Sequence, residues 1–230
     1  MAKRFCKLNR PESWLIVVTL LSLGLVAWST IGWTEKDWKQ AAFDCGLAML
    51  VSVLIYLLIS WWPDKKKKIA LRAYLNSHYI ELRNDLIYQY LWACGESADA
   101  DVVQGLEDQQ KFRTYFTEKV STSQDRWHAV ANGLSSSEER LLAVLVALKR
   151  FQTELDVCVT LSAVNIEQGG FMRLRYLSQD LKRTREQAVL HDYDGIKQLC
   201  RFLWSLHTGW SFVDGYSNKD FVHESIHKGF

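Results

Sequence analysis

Two uncharged runs dominate the hydrophobic pattern of the first 62 residues. Trp14–Trp33 reads WLIVVTLLSLGLVAWSTIGW, 20 residues, and Cys45–Trp62 reads CGLAMLVSVLIYLLISWW, 18 more. Neither run shows a polar face, which sets both apart from the core helices of a soluble protein. As a helix, the first spans about 30 Å, the thickness of a bilayer's hydrocarbon core. The link between them, Thr34–Gln40, is short and polar. The pattern predicts a transmembrane hairpin over residues 1–63, with spans at about 14–33 and 45–62. The length of the first run, and the second run close behind it, speak against a cleaved signal peptide. Pro63 lacks an N–H, so the second span is expected to stop or kink there.

Beyond Pro63 the period changes. Leu71, Leu75, Tyr79, Leu82, Leu86, Tyr90 and Ala93 recur at intervals of three and four, the stripe of an amphipathic helix. A more polar helix is expected from about Leu106 to Ala131. Ser135-Ser136-Ser137-Glu138-Glu139 reads as a helix start, with Ser136 as cap and Glu139 bonding back. That helix is expected to run to about Gln168, with Leu141, Leu145, Leu148, Phe151, Leu155, Cys158 and Val159 inward, and Gly169-Gly170 to break it. Another follows over Phe171–His191, with Leu174, Leu177, Leu181 and Ala188 on one face, then one over Gly195–Trp210 and a polar tail. No proline follows Pro63, which argues against a turn-rich sandwich or barrel. The expected fold is all-α: the hairpin, then a cytoplasmic bundle of about five helices over residues 64–230.

Charge orients the hairpin. Lys3, Arg4, Lys7 and Arg10 precede the first span and Lys65, Lys66, Lys67 and Lys68 follow the second, against Lys36 and Lys39 in the link. Basic flanks stay cytoplasmic, so both termini are expected inside and the link outside. Trp14, Trp33, Trp38, Trp61 and Trp62 lie near the span ends, where indole prefers the interface. The lysine run can also hold anionic headgroups, although fixing topology is the simpler role. Five scattered cysteines without a C-x-x-C pair suit a reducing cytoplasm, not a disulfide framework or zinc ribbon.

Candidate chemistry is sparse. His223-Glu224-Ser225-Ile226-His227 matches H-E-x-x-H, which on a helix puts two histidines on one face for zinc with the glutamate as base. A catalytic zinc needs a third protein ligand, and three residues after His227 are too few for the downstream ones, which leaves only an upstream ligand such as His207 or Asp214. The tail is therefore expected to be a solvated turn, with no metal, cofactor or catalytic residue. In the first span Thr19, Ser22, Ser29 and Thr30 fall near one face; in the second Ala42-xxx-Gly46 and Ala48-xxx-Ser52 offer small-residue faces. These groups suit close helix packing or, in an oligomer, a narrow wet path. Equally, the hydroxyls can bond back to their own helix. Asp44 is placed in the first turn of the second span, where an acid complements the helix dipole; a pore-lining proton or ion role is the alternative. Arg173, Arg175, Lys182, Arg183 and Arg185 make one helix basic, without the aromatic interleaving that nucleic-acid binding would call for.

A short transmembrane hairpin (14–33, 45–62), a lysine run at 65–68 and a larger helical remainder together resemble the two-transmembrane effectors of bacterial anti-phage systems, most of all those encoded beside retrons. The resemblance is one of architecture over the whole chain. It implies a multi-pass protein of the bacterial inner membrane, silent while held by partners and damaging the membrane when released on infection. It also implies a partner complex of reverse transcriptase and its RNA–DNA product. Two spans per chain cannot enclose a pore, so permeation would need a homo-oligomer in the bilayer. A membrane-anchored adaptor and an anchored metallopeptidase are the alternatives.

Overall fold

The computed structural model describes residues 11–31, 36–120, 124–162, 168–189, 193–211, 213–217 and 219–230. The chain is all-α, with one two-stranded ribbon among the described residues. It divides into two compact units, Met1–Lys67 and Lys68–Phe230. The basic residues before Pro11, together with Trp33 and Thr34, lie outside the described residues.

In the first unit, α1 (Pro11–Ile31) packs against α2 (Lys36–Tyr56). The helix does not stop at Pro63. A π turn, Leu57–Trp61, precedes α3 (Trp62–Ala93), and the Trp62 N–H bonds to the Leu57 carbonyl five residues back. One extra residue in the turn widens the helix just where the proline ring would otherwise strike the preceding turn and where its N–H is missing.

In the second unit the α3 stripe is the centre of the core. Leu75, Tyr79, Leu82, Leu86, Tyr90 and Ala93 are buried, as the spacing predicts, and Leu71 packs against them partly buried. The inward residues expected on α7 (Glu138–Ser162) and α8 (Gln168–Val189) are buried too, except Val159, which is half-buried. The expected single helix from Leu106 to Ala131 is instead three segments: α4 (Ala100–Leu106), α5 (Gln109–Thr117) and α6 (Arg126–Ser136). Side-chain caps cut the run. Asp108 accepts the N–H groups of Gln110 and Lys111, and Asp125 accepts that of His128, so each aspartate begins a new helix. The cap of α7 is Ser137, one residue later than expected, its hydroxyl 3.4 Å from the Arg140 nitrogen. Gly169 and Gly170 do not break a helix; they lie in the first turn of α8.

The tail is folded. After α9 (Tyr193–Thr208), Gly209 takes φ +63°, and a Cβ there would sit 2.5 Å from the Ser217 carbonyl oxygen. Glycine alone permits that left-handed turn and close approach. The chain then forms β1 (Trp210–Ser211) and β2 (Gly215–Tyr216), with Trp210 opposite Tyr216. Helix α10 (Phe221–Gly229) follows, capped by Asp220 and packed on α8 through Val222, Ile226 and Gly229.

Candidate functional site

The paired helices α1 and α2 have their polarity inverted relative to a soluble bundle. Leu15, Val18, Ser22, Leu25 and Ser29 of α1 recur at intervals of three and four and are the least exposed positions of that helix, with Thr19 and Val26 beside them. On α2 the corresponding stripe is Ala42, Gly46, Leu50 and Val53. Ser22 is fully buried and Ser29 is 8% exposed, whereas Leu20, Leu21, Leu23, Trp28, Leu47 and Leu54 face outward. Gly46 makes this possible. A Cβ there would lie 2.8 Å from Val26 Cγ2 and 3.1 Å from the Ser22 carbonyl oxygen, so a larger residue would separate the helices.

The hydroxyls satisfy themselves locally. Thr19 donates to the Leu15 carbonyl at 2.7 Å, Ser22 to Thr19 at 2.8 Å and Ser29 to Val26 at 2.6 Å. Each thereby serves as a small side chain that needs no partner from α2. Thr30's side chain lies outside the described residues. Asp44 is exposed, and it is not in a first turn: α2 begins at Lys36, eight residues earlier. Helix formation reaches back through Ala41 and Ala42 into the polar link, which removes the dipole argument for Asp44.

At the other end of the apolar stretch, lysine and tryptophan are paired one turn apart. Lys65 Nζ lies 4.7 Å from the Trp61 ring and Lys66 Nζ 5.5 Å from the Trp62 ring. An indole with a cation over its face combines an apolar body with a charged tip, a pairing suited to the boundary between hydrocarbon and water. Lys67 and Lys68 continue the basic run on α3. Among the described residues, the helical stretch Gln40–Ala93 is long and apolar enough to cross a membrane, with a mean hydropathy of 2.3 in its most apolar window. Trp14–Ser29 is a shorter apolar helix.

The H-E-x-x-H residues lie on α10, a packed helix rather than the expected solvated turn. His223 and His227 are exposed with ring centroids 5.9 Å apart, and Glu224 is paired with Lys228 at 3.0 Å. Among the described residues no three His, Cys, Asp or Glu side chains are grouped to hold a metal ion. His207, the nearest upstream histidine, is fully buried between Phe112 and Tyr90. Purified protein is expected to carry no stoichiometric zinc, and His223→Ala with His227→Ala to leave both metal content and activity unchanged. Zinc at one equivalent, lost in the double variant, would overturn this.

A second feature has a weaker sequence signal. Of the four tryptophans after Pro63, three (Trp127, Trp204 and Trp210) line one cleft in the second unit. They come from α6, α9 and β1, so only tryptophan abundance, and no spacing, could have pointed to it. No family model, curated protein or solved structure matches this chain.

Proposed function

We propose that the chain is a membrane-perturbing effector. Helices α1 and α2, continued through the π turn, form a transmembrane hairpin with both termini cytoplasmic, and the second unit holds it silent through its partners. The inverted polarity of α1 and α2 carries this reading. Serine and glycine lie in the seam among leucine and valine, and leucine, isoleucine and tryptophan predominate on the outer surface. Water would penalise such a surface, and monomeric soluble proteins rarely expose one so extensive. Lipid costs it nothing, and small residues are what let helices approach there. The Lys–Trp pairs at 61–66 support placing the cytoplasmic boundary beside Pro63. In the setting that the resemblance implies, infection releases the protein from a reverse transcriptase and its RNA–DNA product. Released hairpins then associate and depolarise the inner membrane.

A membrane-anchored adaptor is the second reading. It is favoured by the hydroxyls of Thr19, Ser22 and Ser29, each already bonded to its own helix. Expression without partners, followed with a potential-sensitive dye, separates the two. Depolarisation preceding growth arrest supports the effector, and arrest at full potential supports the adaptor.

Topology has its own test. An impermeant maleimide added to intact cells is expected to label a cysteine at Lys36 and to miss one at Val213, which is 91% exposed and so reactive wherever reagent reaches it. Labelling at Val213 in intact cells would reverse the orientation.

A further inference from the structure

Trp127, Trp204, Trp210 and Tyr216 surround a cleft of about 430 Å³, completed by Thr117, Asp125 and Arg201. That volume lies within the range of small-molecule sites. Four separate segments build it, Thr117 being the last residue of α5. Trp127 follows the Asp125 cap of α6, Arg201 and Trp204 lie one turn apart on α9, and the ribbon sets Trp210 opposite Tyr216. The indoles of Trp127 and Trp204 stand 5.0 Å apart at 52°. Their inner edges rest on the core, and both are half-buried. The Arg113 guanidinium lies over the Tyr216 ring, 4.8 Å from its centroid. The walls are thus flat and aromatic, and two of them rest on the core.

The charges in the cleft are not equivalent. Asp125 is already committed, accepting the His128 N–H at 2.8 Å and facing His128 Nδ1 at 2.6 Å. Thr117 donates its hydroxyl to the Arg113 carbonyl of its own helix. Arg201 is exposed, and among the described residues no carboxylate pairs with it. Among the described lining residues a ligand therefore meets stacking faces and the Arg201 guanidinium, with the Asp125 carboxylate turned to its own helix cap. A quaternary ammonium would suit the aromatic faces but would meet Arg201 unfavourably. A planar ring carrying an anion satisfies both features.

We propose that this cleft binds a mononucleotide, its base stacked among Trp127, Trp204 and Trp210 and its phosphate held by Arg201. A protein that must be silent until a signal arrives would thereby have a site for a small-molecule signal in its second unit. Binding itself is independent of whether the hairpin perturbs membranes. The test is isothermal titration of the full chain in detergent with AMP, GMP, CMP, UMP, adenosine, inorganic phosphate and choline. At least one mononucleotide is expected to saturate, adenosine to bind more weakly and phosphate alone not to bind. Arg201→Gln should weaken the nucleotide about tenfold and leave adenosine unchanged, since a hydrogen bond to a charged group accounts for a factor of that order. Trp210→Leu should weaken both, as loss of a stacking face does. Tyr216→Leu, at an exposed ring, repeats that arm if Trp210→Leu does not fold. Absence of saturation by every mononucleotide at millimolar concentration would overturn the proposal. So would binding indifferent to these variants, or a response to choline alone.

Discussion

Ser22→Leu combined with Ser29→Leu is expected to abolish membrane depolarisation while leaving the protein inserted at normal abundance. Both serines lie in the seam between α1 and α2, and Ser22 has no exposed surface at all. Leucine at 22 would need volume where the Ser22 backbone already comes within 3.1 Å of a Cβ at Gly46. Overpacking of a fitted seam costs about 1–3 kcal/mol, so the equilibrium constant for closing the hairpin should fall about fivefold or more. Insertion should survive, because leucine partitions into the bilayer more favourably than serine. Gly46→Leu should reproduce the defect from the facing helix.

Alanine at the same positions separates packing from a wet path. Ser22→Ala with Ser29→Ala removes both hydroxyls and keeps the seam narrow. Each hydroxyl is already spent on its own helix backbone, so this variant should depolarise membranes as the parent does. If alanine silences the protein as fully as leucine, the hydroxyls act on water or ions and the packing account fails. If neither variant changes depolarisation, the α1–α2 seam is not part of the active assembly. Cellular fractionation and a dye-release assay with purified protein in vesicles provide both readouts.

The parts legible in the sequence were those set by repeated spacing. The α3 stripe from Leu75 to Ala93 and the inner faces of α7 and α8 could be read because many residues each contribute a little to one periodic signal. Local competitions were harder to read. Asp108 and Asp125 each cut an apparently continuous helix with hydrogen bonds that periodicity does not register. Whether the helix stops or kinks at Pro63 is not legible either, because a breaker's effect depends on whether the turn before it widens. In α1 the serine stripe was visible, but its direction was not: apolar residues on every side leave no amphipathic signal to say which face meets α2. The aromatic cleft was beyond reach for another reason. Its walls come from residues 127, 204, 210 and 216, and only the turn at Gly209 brings β1 and β2 back beside α9.

His207 lies two residues before that turn, and acidification is expected to destabilise the second unit through it. His207 is fully buried; its ring stacks on Phe112 at 4.7 Å and meets Tyr90 edge-on at 5.3 Å. Neither ring nitrogen has a hydrogen-bond partner within the described residues. Burial, and secondarily the Arg83 guanidinium, hold its pKa well below the ordinary value of 6.5. Arg83 is itself set by Asp220, at 3.8 Å, which also accepts the Tyr79 hydroxyl. The folded protein therefore keeps His207 neutral while the unfolded chain protonates it below about pH 6.5. The unfolded state then binds the extra proton, so stability falls as pH falls from about 6.5 toward the depressed folded value. Between pH 7 and pH 5 the melting temperature should therefore fall. Asp108, whose pKa is lowered mainly by the Lys111 N–H, acts in a separate window, because a carboxylate protonates only at more acidic pH. His207→Leu should flatten the profile between pH 5 and 7. At pH 7 its stability should lie within about 1 kcal/mol of the parent, since leucine needs no partner in that position. Melting curves of parent and variant across this range, followed by aromatic circular dichroism, provide the check. Parallel pH slopes for the two proteins would show that acid acts elsewhere.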